Sequence, residues 1–403
     1  MLSPAEKNAL RTREFPVTSN LVYFNHAAVG PLPQRTFDAI ERQARDCREW
    51  GALHWRDWDE AYVRLRRSVA SLLGCDSGEI SILKNTSEGL SFVANGYRWN
   101  DGENVVTTDM EFPSNAAPWK RLETRGVECR EIRTVNGTFS PDDVAQAIDE
   151  RTRIVALSAV AFHNGFRPDL KAIGEICEKR GVLLCVDAIQ ALGAVKIDVR
   201  ECRISFLAAD GHKWMLAPEG AAVFYCAEQA RARLEVLESG WMNLARKGKF
   251  IGCPTDLLPD GRRFEAGALN TTGVMALEAS LSLIHEIGIE RVEMELLSVA
   301  SELADRLEDS GFEVCTPRPV RSGIVAISPP DTDRSRLRRL LGGGTPELSG
   351  SGAVLLAFHT LLEREKIVCA PREGMLRFSP HFYNEVSEIE RVVAVLQDLR
   401  GGS

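Results

Sequence analysis

A carboxylate and an amine each stand at the end of an apolar run, and their types and spacing point to one chemistry. Val182-Leu-Leu-Cys-Val-Asp187 closes on Asp187, and Ile204-Ser-Phe-Leu-Ala-Ala-Asp210 leads straight into Gly211-His212-Lys213. Both runs read as buried strands. About 26 residues separate Asp187 from Lys213. A lysine amine condenses with an aldehyde, and a carboxylate keeps a pyridine nitrogen protonated so that the ring draws electrons from a bound substrate. That pairing is what pyridoxal 5'-phosphate needs from a protein. Alone, Gly-His-Lys reads as a surface lysine; the surrounding constellation reverses that reading. Lys84 also ends an apolar run, but no strand-end carboxylate comes shortly before it.

Further residues join the pair. Asn85-Thr86-Ser87-Glu88-Gly89 lies between an apolar run and a helix-like stretch. Hydroxyls and backbone N–H groups at a helix start suit a phosphate, and the same motif serves equally as a plain helix cap. Gln190 follows Asp187 at a strand-to-helix turn, where its amide can donate to a phenolic oxygen or simply open the helix. His212 can help hold a phosphate or be structural. Phe112, in Glu111-Phe-Pro-Ser-Asn115, can stack on a pyridine ring or belong to the core. Arg377 sits inside a short apolar strand, where an unpaired charge is expensive. A substrate carboxylate would match its planar guanidinium, and an internal salt bridge is the alternative.

The elements that must carry these groups alternate. Strands are expected at Ile80–Leu83, Asn104–Thr108, Cys129–Arg133, Arg153–Ser158, Val182–Asp187, Ile204–Ala208 and Ala221–Cys226. Helical stretches fall between them at Ser114–Thr124, Pro141–Ile148 and Asp169–Lys179. Such alternation predicts a mostly parallel sheet with helices on both faces and ligands at the carboxyl ends of its strands. From about residue 272 the pattern changes to long helices, Gly273–Ile287 and Arg291–Ser310, then strands Gly323–Ile327 and Met375–Ser379, and a last helix Glu385–Leu399. The expected division is an N-terminal segment 1–30 lining the cleft or joining the small domain, a large domain 31–271, and a small α+β domain 272–403. The run Gly342–Gly352 reads as an exposed loop; it lacks the preceding strand and the Lys-Ser/Thr of a phosphate loop.

Composition narrows the function classes. A hydrophobic share of 44% with 26% charged residues is ordinary for a globular protein, and a net charge of −8 argues against a dedicated nucleic-acid binder. The ten cysteines form no Cys-x-x-Cys pair, so a zinc or iron–sulfur site is not expected, and scattered thiols suit a reducing cytoplasm. The chain shows no signal-peptide pattern and no apolar run of about 18 residues, so no membrane association is expected.

Taken together the blocks resemble the class V aminotransferase family of fold-type I pyridoxal phosphate enzymes, which includes cysteine desulfurases, selenocysteine lyase, C–S lyases and isopenicillin N epimerase. The likeness runs from about Leu21 to Leu396 through Tyr23-Phe-Asn-His-Ala-Ala28, Thr86-Ser-Glu-Gly89, Glu111–Asn115, Val186–Gln190, Gly211–Lys213, Phe264–Thr271 and Arg377. It implies an α/β fold with a large, mostly parallel seven-stranded sheet domain and a smaller C-terminal α+β domain. Lys213 matches the Schiff-base lysine, Asp187 the ring-nitrogen partner and Gln190 the phenolic-oxygen partner. Thr86, Ser87 and His212 match phosphate ligands. Thr271 matches a threonine that reaches the neighbouring subunit's phosphate, which implies a homodimer with shared active sites. Arg377 matches the arginine for the carboxylate of a small amino-acid substrate, and His26 a segment lining the substrate cleft.

Four departures shape the expected reaction. Phe112 replaces the ring-stacking histidine of desulfurases, and Asp210 replaces a phosphate-binding serine. No cysteine follows Arg372-Glu-Gly374, where one desulfurase branch carries its nucleophile. About 20 residues, roughly Asp333 to Gly352, look inserted, to cap the cleft or as solvated surface. The family chemistry leaves transamination, β-elimination as in C–S lyases, and epimerisation open, with transamination favoured. A non-catalytic protein that binds the cofactor is the rival from another class.

Overall fold

The computed structural model describes residues 1–245, 251–252, 255–329, 332–342 and 350–401. Cys253 and most of the glycine-rich run, 343–349, lie outside the described residues. Two compact units divide the chain. The larger comprises Arg35–Val160 and Pro168–Ile289; the smaller comprises Met1–Gln34, Ala161–Arg167 and Glu290–Ser403.

The larger unit is built on a seven-stranded sheet. Its strands lie side by side in the order Ile80–Leu83, Ala222–Cys226, Phe206–Asp210, Leu183–Asp187, Thr152–Ser158, Asn104–Thr108, Glu128–Ile132. Ala222–Cys226 runs antiparallel to both neighbours, and the remaining pairings are parallel. The central strands are buried almost without break, as a sheet covered on both faces demands. Each fully buried Val, Leu or Ile there stabilises the fold by about 1.5–3 kcal/mol. The outer strand Glu128–Ile132 differs: its exposed Glu128 and Glu131 put charge on an edge that would otherwise pair with another chain.

Strand bounds match the sequence reading to within a residue or two. The largest shift is the strand expected at Ile204–Ala208, which spans Phe206–Asp210. Ile204 N–H is drawn back to Val199 O, and antiparallel pairing carries the ladder on to Asp210, opposite Ala222. Asp210 is therefore the last residue of the strand. A second difference concerns the expected boundary at 271/272. The helix Thr271–Ile287 belongs to the larger unit, where it packs along the helix Trp55–Leu73, so the division falls at Ile289/Glu290.

In the smaller unit, Ala370–Arg372 and Val325–Ile327 flank Met375–Phe378 in an antiparallel three-stranded sheet. Val22–Tyr23 pairs in parallel with Ile367–Val368. Phe24, Leu303, Ile327, Phe358, Phe378 and Leu396 lie in one apolar core. The region expected as an insert forms a helix, Arg334–Leu341, whose Leu337 is buried in that core, so this part of it is not merely solvated surface. A further helix, Ser351–Arg364, follows.

Candidate active site

The larger unit gathers most of the expected groups at the carboxyl ends of its strands. Asp187 ends the strand Leu183–Asp187, in register with Ser158 on one side and Ala208 on the other. It is 2% exposed, and its Oδ1 accepts the Ile189 N–H at 3.0 Å. Burial pushes its carboxyl up to about 7; the Ile189 N–H opposes the rise, the nearby Glu111 adds to it and Lys213 opposes it. A carboxylate in this state takes up a cationic partner readily.

Lys213 leaves the neighbouring strand on a tight turn. Ala217 N–H donates to Gly211 O, Leu216 N–H to Lys213 O, and Gly211 N–H to Ala221 O. Leu216 is buried and left-handed, at φ 57°, a conformation that surrounding structure must enforce. Ser280 Oγ donates to Met215 O and ties the turn to the helix Thr271–Ile287. The Lys213 side chain is thereby held 9% exposed, its Nζ 5.7 Å from the centroid of the Phe112 ring. Lys84, the other strand-end lysine, is exposed and ion-paired with Glu88 at 2.7 Å.

Thr86 and Ser87 open the helix Thr86–Gly96, capped by Asn85, whose side chain accepts the Glu88 N–H. Helix-start N–H groups there have no partner within the helix and suit an anion. Gly89 lets this helix lie close on the sheet: a Cβ there would come within 2.9 Å of Ala208 Cβ. The Asp210 N–H donates to Thr86 Oγ1 at 2.9 Å, so the threonine hydroxyl keeps its proton for another acceptor. Ser87 Oγ meets Ser114 Oγ at 2.8 Å. Asp210, buried, faces His212: Oδ2 lies 3.1 Å from Nδ1, close enough to pair charges but off the hydrogen-bonding axis.

Phe112 is 39% exposed, not a core residue. Its segment is anchored by Glu111, whose carboxylate accepts from Ser158 N–H and Oγ, Asn115 Nδ2 and Thr108 Oγ1. Burial still raises the Glu111 carboxyl. Gln190 is buried, and its Oε1 accepts the Trp214 indole N–H at 2.8 Å. Sequence reading passed over both Glu111 and Trp214, although each adjoins a residue it singled out. Thr271, first in its helix, shares a 2.6 Å hydrogen bond with Tyr62 O–H.

In the smaller unit, Arg377 is 1% exposed in the middle strand of its sheet. Its Nη1 donates to Phe162 O at 2.6 Å, while Nε and Nη2 have no hydrogen-bond partner among the described residues. Burial, with the Arg372 charge adding, pushes this guanidinium down to about 9. An internal salt bridge, the alternative weighed from sequence, is not what the described residues form here. His26 departs from expectation. It is fully buried, with Nδ1 2.8 Å from Ser379 O and Nε2 2.7 Å from Tyr383 O–H. Both ring nitrogens are committed inside the protein, so His26 secures its segment and does not offer a nitrogen to a ligand. Burial, helped by His381, holds it well below the ordinary histidine range and keeps it neutral.

The donor set fits pyridoxal 5'-phosphate. A buried carboxylate raised toward neutrality suits a ring nitrogen, a shielded amine suits an aldehyde, an exposed phenyl face suits the ring, and a helix start with a spare hydroxyl proton suits a phosphate. Among the described residues, no group of three or more His, Cys, Asp or Glu is placed to hold a metal. A mostly parallel α/β sheet with this set at its strand ends defines a pyridoxal phosphate-dependent enzyme of fold type I. Residues 22–392 match the family model described as aminotransferase class-V, and the chain belongs to that family.

Its relatives include a probable cysteine desulfurase of Methanothermobacter thermautotrophicus, 30% identical over 96% of this chain and 97% of the relative. Among solved structures, the cystine C–S lyase C-DES in complex with its reaction product cysteine persulfide shares the fold, with a TM-score of 0.85 at 23% identity over 97% of this chain and 100% of that one. The apo cysteine desulfurase from Thermococcus onnurineus NA1 superposes with a TM-score of 0.82 at 26% identity, covering 99% and 98%.

Proposed function

We propose that the protein is a pyridoxal phosphate-dependent aminotransferase acting on a small α-amino acid. The observation that carries this reading is the placement of Asp187 and Lys213 at the carboxyl ends of adjacent strands, both shielded from water. Lys213 would hold the cofactor aldehyde, Asp187 its ring nitrogen, Gln190 its phenolic oxygen, Phe112 its ring face, and Thr86, Ser87 and His212 its phosphate. When bound, the cofactor supplies an electron sink for charge developing at the substrate α-carbon. Once the substrate amine has displaced it from the aldehyde, the freed Lys213 amine would be the base for the α-proton, and its shielding would limit exchange of that proton with water. Arg377 would take the substrate carboxylate in its two open N–H positions.

Phe112 and the cysteines bear on the type of reaction. A phenyl ring cannot take a proton from a departing thiol. Cys369 is 1% exposed, and burial pushes its thiol far above the ordinary range, opposite to a nucleophile's need. Cys315 is half-buried, its Sγ 3.2 Å from Ser328 Oγ. Both features argue against persulfide transfer. β-Elimination without a protein persulfide is the second reading, favoured by the likeness to the C–S lyase. A panel of amino acids mixed with the cofactor-loaded protein separates the two. Transamination yields the keto acid and the amine form of the cofactor in one turnover; elimination yields pyruvate and ammonia from cysteine or cystine.

A homodimer is part of this proposal. Phe37, Trp50, Leu53, Trp55 and Val63 are exposed on and between the helices Gln34–Trp50 and Trp55–Leu73, an apolar surface that a second copy would cover. Thr271 would then serve the partner's phosphate. Every described cysteine is a free thiol, which supports a reducing cytoplasmic setting, and no described helix is long and apolar enough to cross a membrane.

A further inference from the structure

We infer that Trp214 is a positioning residue for the cofactor: its indole N–H fixes which end of the Gln190 amide faces the ring oxygen. This rests on the proposed cofactor reading of the same site and adds a residue to it. An amide side chain has an acceptor end and a donor end, and rotation about its last bond exchanges them. The indole nitrogen is a donor only. At 2.8 Å from Gln190 Oε1, it accepts no other orientation than the one with the amide oxygen toward it. The Nε2 donors are therefore the end that Gln190 presents away from Trp214. A phenolate oxygen needs a donor there; a flipped amide would set one oxygen against another.

The pair is rigid. Trp214 is 1% exposed and Gln190 4%. Trp214 directly follows Lys213, so the clamped turn that places the amine also places the indole. The segment carrying Gln190 packs directly against it. Ala191 N–H and Leu192 N–H both donate to Ala188 O, and Gly193, at φ 94°, lies so close that a Cβ there would come within 2.6 Å of Trp214 O. One turn thus fixes both the lysine and the donor opposite the ring oxygen.

The test is a pH titration of the visible absorbance band in protein reconstituted with pyridoxal phosphate. A donor on the ring oxygen favours the deprotonated chromophore. In W214F the indole's constraint on the amide oxygen is lost, so the titration midpoint should move upward by about one unit, the scale of a hydrogen bond to a charged group. Q190A should move it in the same direction, and the double variant should titrate like Q190A, because Trp214 acts only through Gln190. A W214F midpoint equal to that of the unsubstituted protein, with Q190A shifted, overturns the inference, as does full additivity in the double variant. Should W214F not accumulate as folded protein, Q190E carries the test. It keeps an acceptor for the indole but turns a carboxylate oxygen on the ring, so its midpoint must rise; an unchanged midpoint overturns the inference. Failure of the unsubstituted protein to develop a visible band would instead defeat the cofactor reading itself.

Discussion

Arg66 and Arg377 are both buried guanidinium groups, one in each unit, and the protein treats them differently. Arg66, 8% exposed, donates Nε and Nη2 to the two oxygens of Glu265 and Nη1 to Tyr62 O. Glu265 also accepts the Ile82 N–H, tying a helix and a strand of the larger unit together. Arg377 is more deeply buried and, among the described residues, has one carbonyl oxygen as partner, with two nitrogens open. A buried charge with a full set of partners maintains the fold. A buried charge left short of them carries a desolvation cost that an incoming anion can offset, which is the signature of a binding group.

Replacing each arginine should separate these roles. R66A leaves Glu265 buried and unpaired, at a cost of about 3–5 kcal/mol, and should lower the Tm by roughly 10 °C. R377A removes a charge that is already short of partners and should leave the Tm unchanged or slightly raised. Its effect should appear in KM, raised about 100-fold for amino acids with a free α-carboxylate and unchanged for the corresponding amines. Calorimetry and steady-state kinetics on both variants check this. Equal losses of stability in the two would end the distinction.

Asp187 offers a milder comparison with Arg377, because it too is buried without its intended partner. Its native pKa is raised above the unfolded value, so the cofactor-free fold holds the proton more tightly than the unfolded chain does. The stability linked to that proton is fully present below about pH 4 and is lost as pH rises through about 7. Glu111, raised by the same burial, adds a slope of the same sign. His26, held below the ordinary histidine range, contributes the opposite slope up to about pH 6.5. The test is therefore a difference: in cofactor-free protein the Tm of the unsubstituted chain relative to D187N should fall as pH rises from 4 to 8. An unchanged slope in D187N would remove Asp187 from the account.

The smallest effect is expected from the thiols. C369A and C315A, singly or together, should change turnover less than about twofold, since Cys369 is buried with its thiol pushed up and Cys315 is half-buried against Ser328 Oγ. Stoichiometric alanine formed from cysteine, and lost in either variant, would restore a desulfurase mechanism.

The two units also differ in how much could be read from sequence. In the sheet, a strand-end residue is positioned by topology alone, so Asp187, Lys213, Thr86 and Phe112 were legible from local pattern. The fully buried strands Ile80–Leu83 and Asn104–Thr108 kept their expected bounds. The helix Arg334–Leu341 was not legible, because four arginines mask its anchors, the buried Leu337 and the partly buried Leu341. Contacts between residues distant in sequence were equally hidden. Trp214 on Gln190, Glu111 on Ser158, Arg66 on Glu265 and Tyr383 on His26 have no spacing signature. His26 shows the limit most plainly: its motif matched a segment lining the substrate cleft, and two hydrogen bonds across more than 350 residues gave it a structural place.

The central claim is that Lys213 holds the cofactor. Protein reconstituted with pyridoxal phosphate, reduced with borohydride and digested, should carry the pyridoxyl label at one position, on the peptide containing Gly211-His212-Lys213. Label on Lys84, on several lysines in proportion to their exposure, or on none would contradict the account.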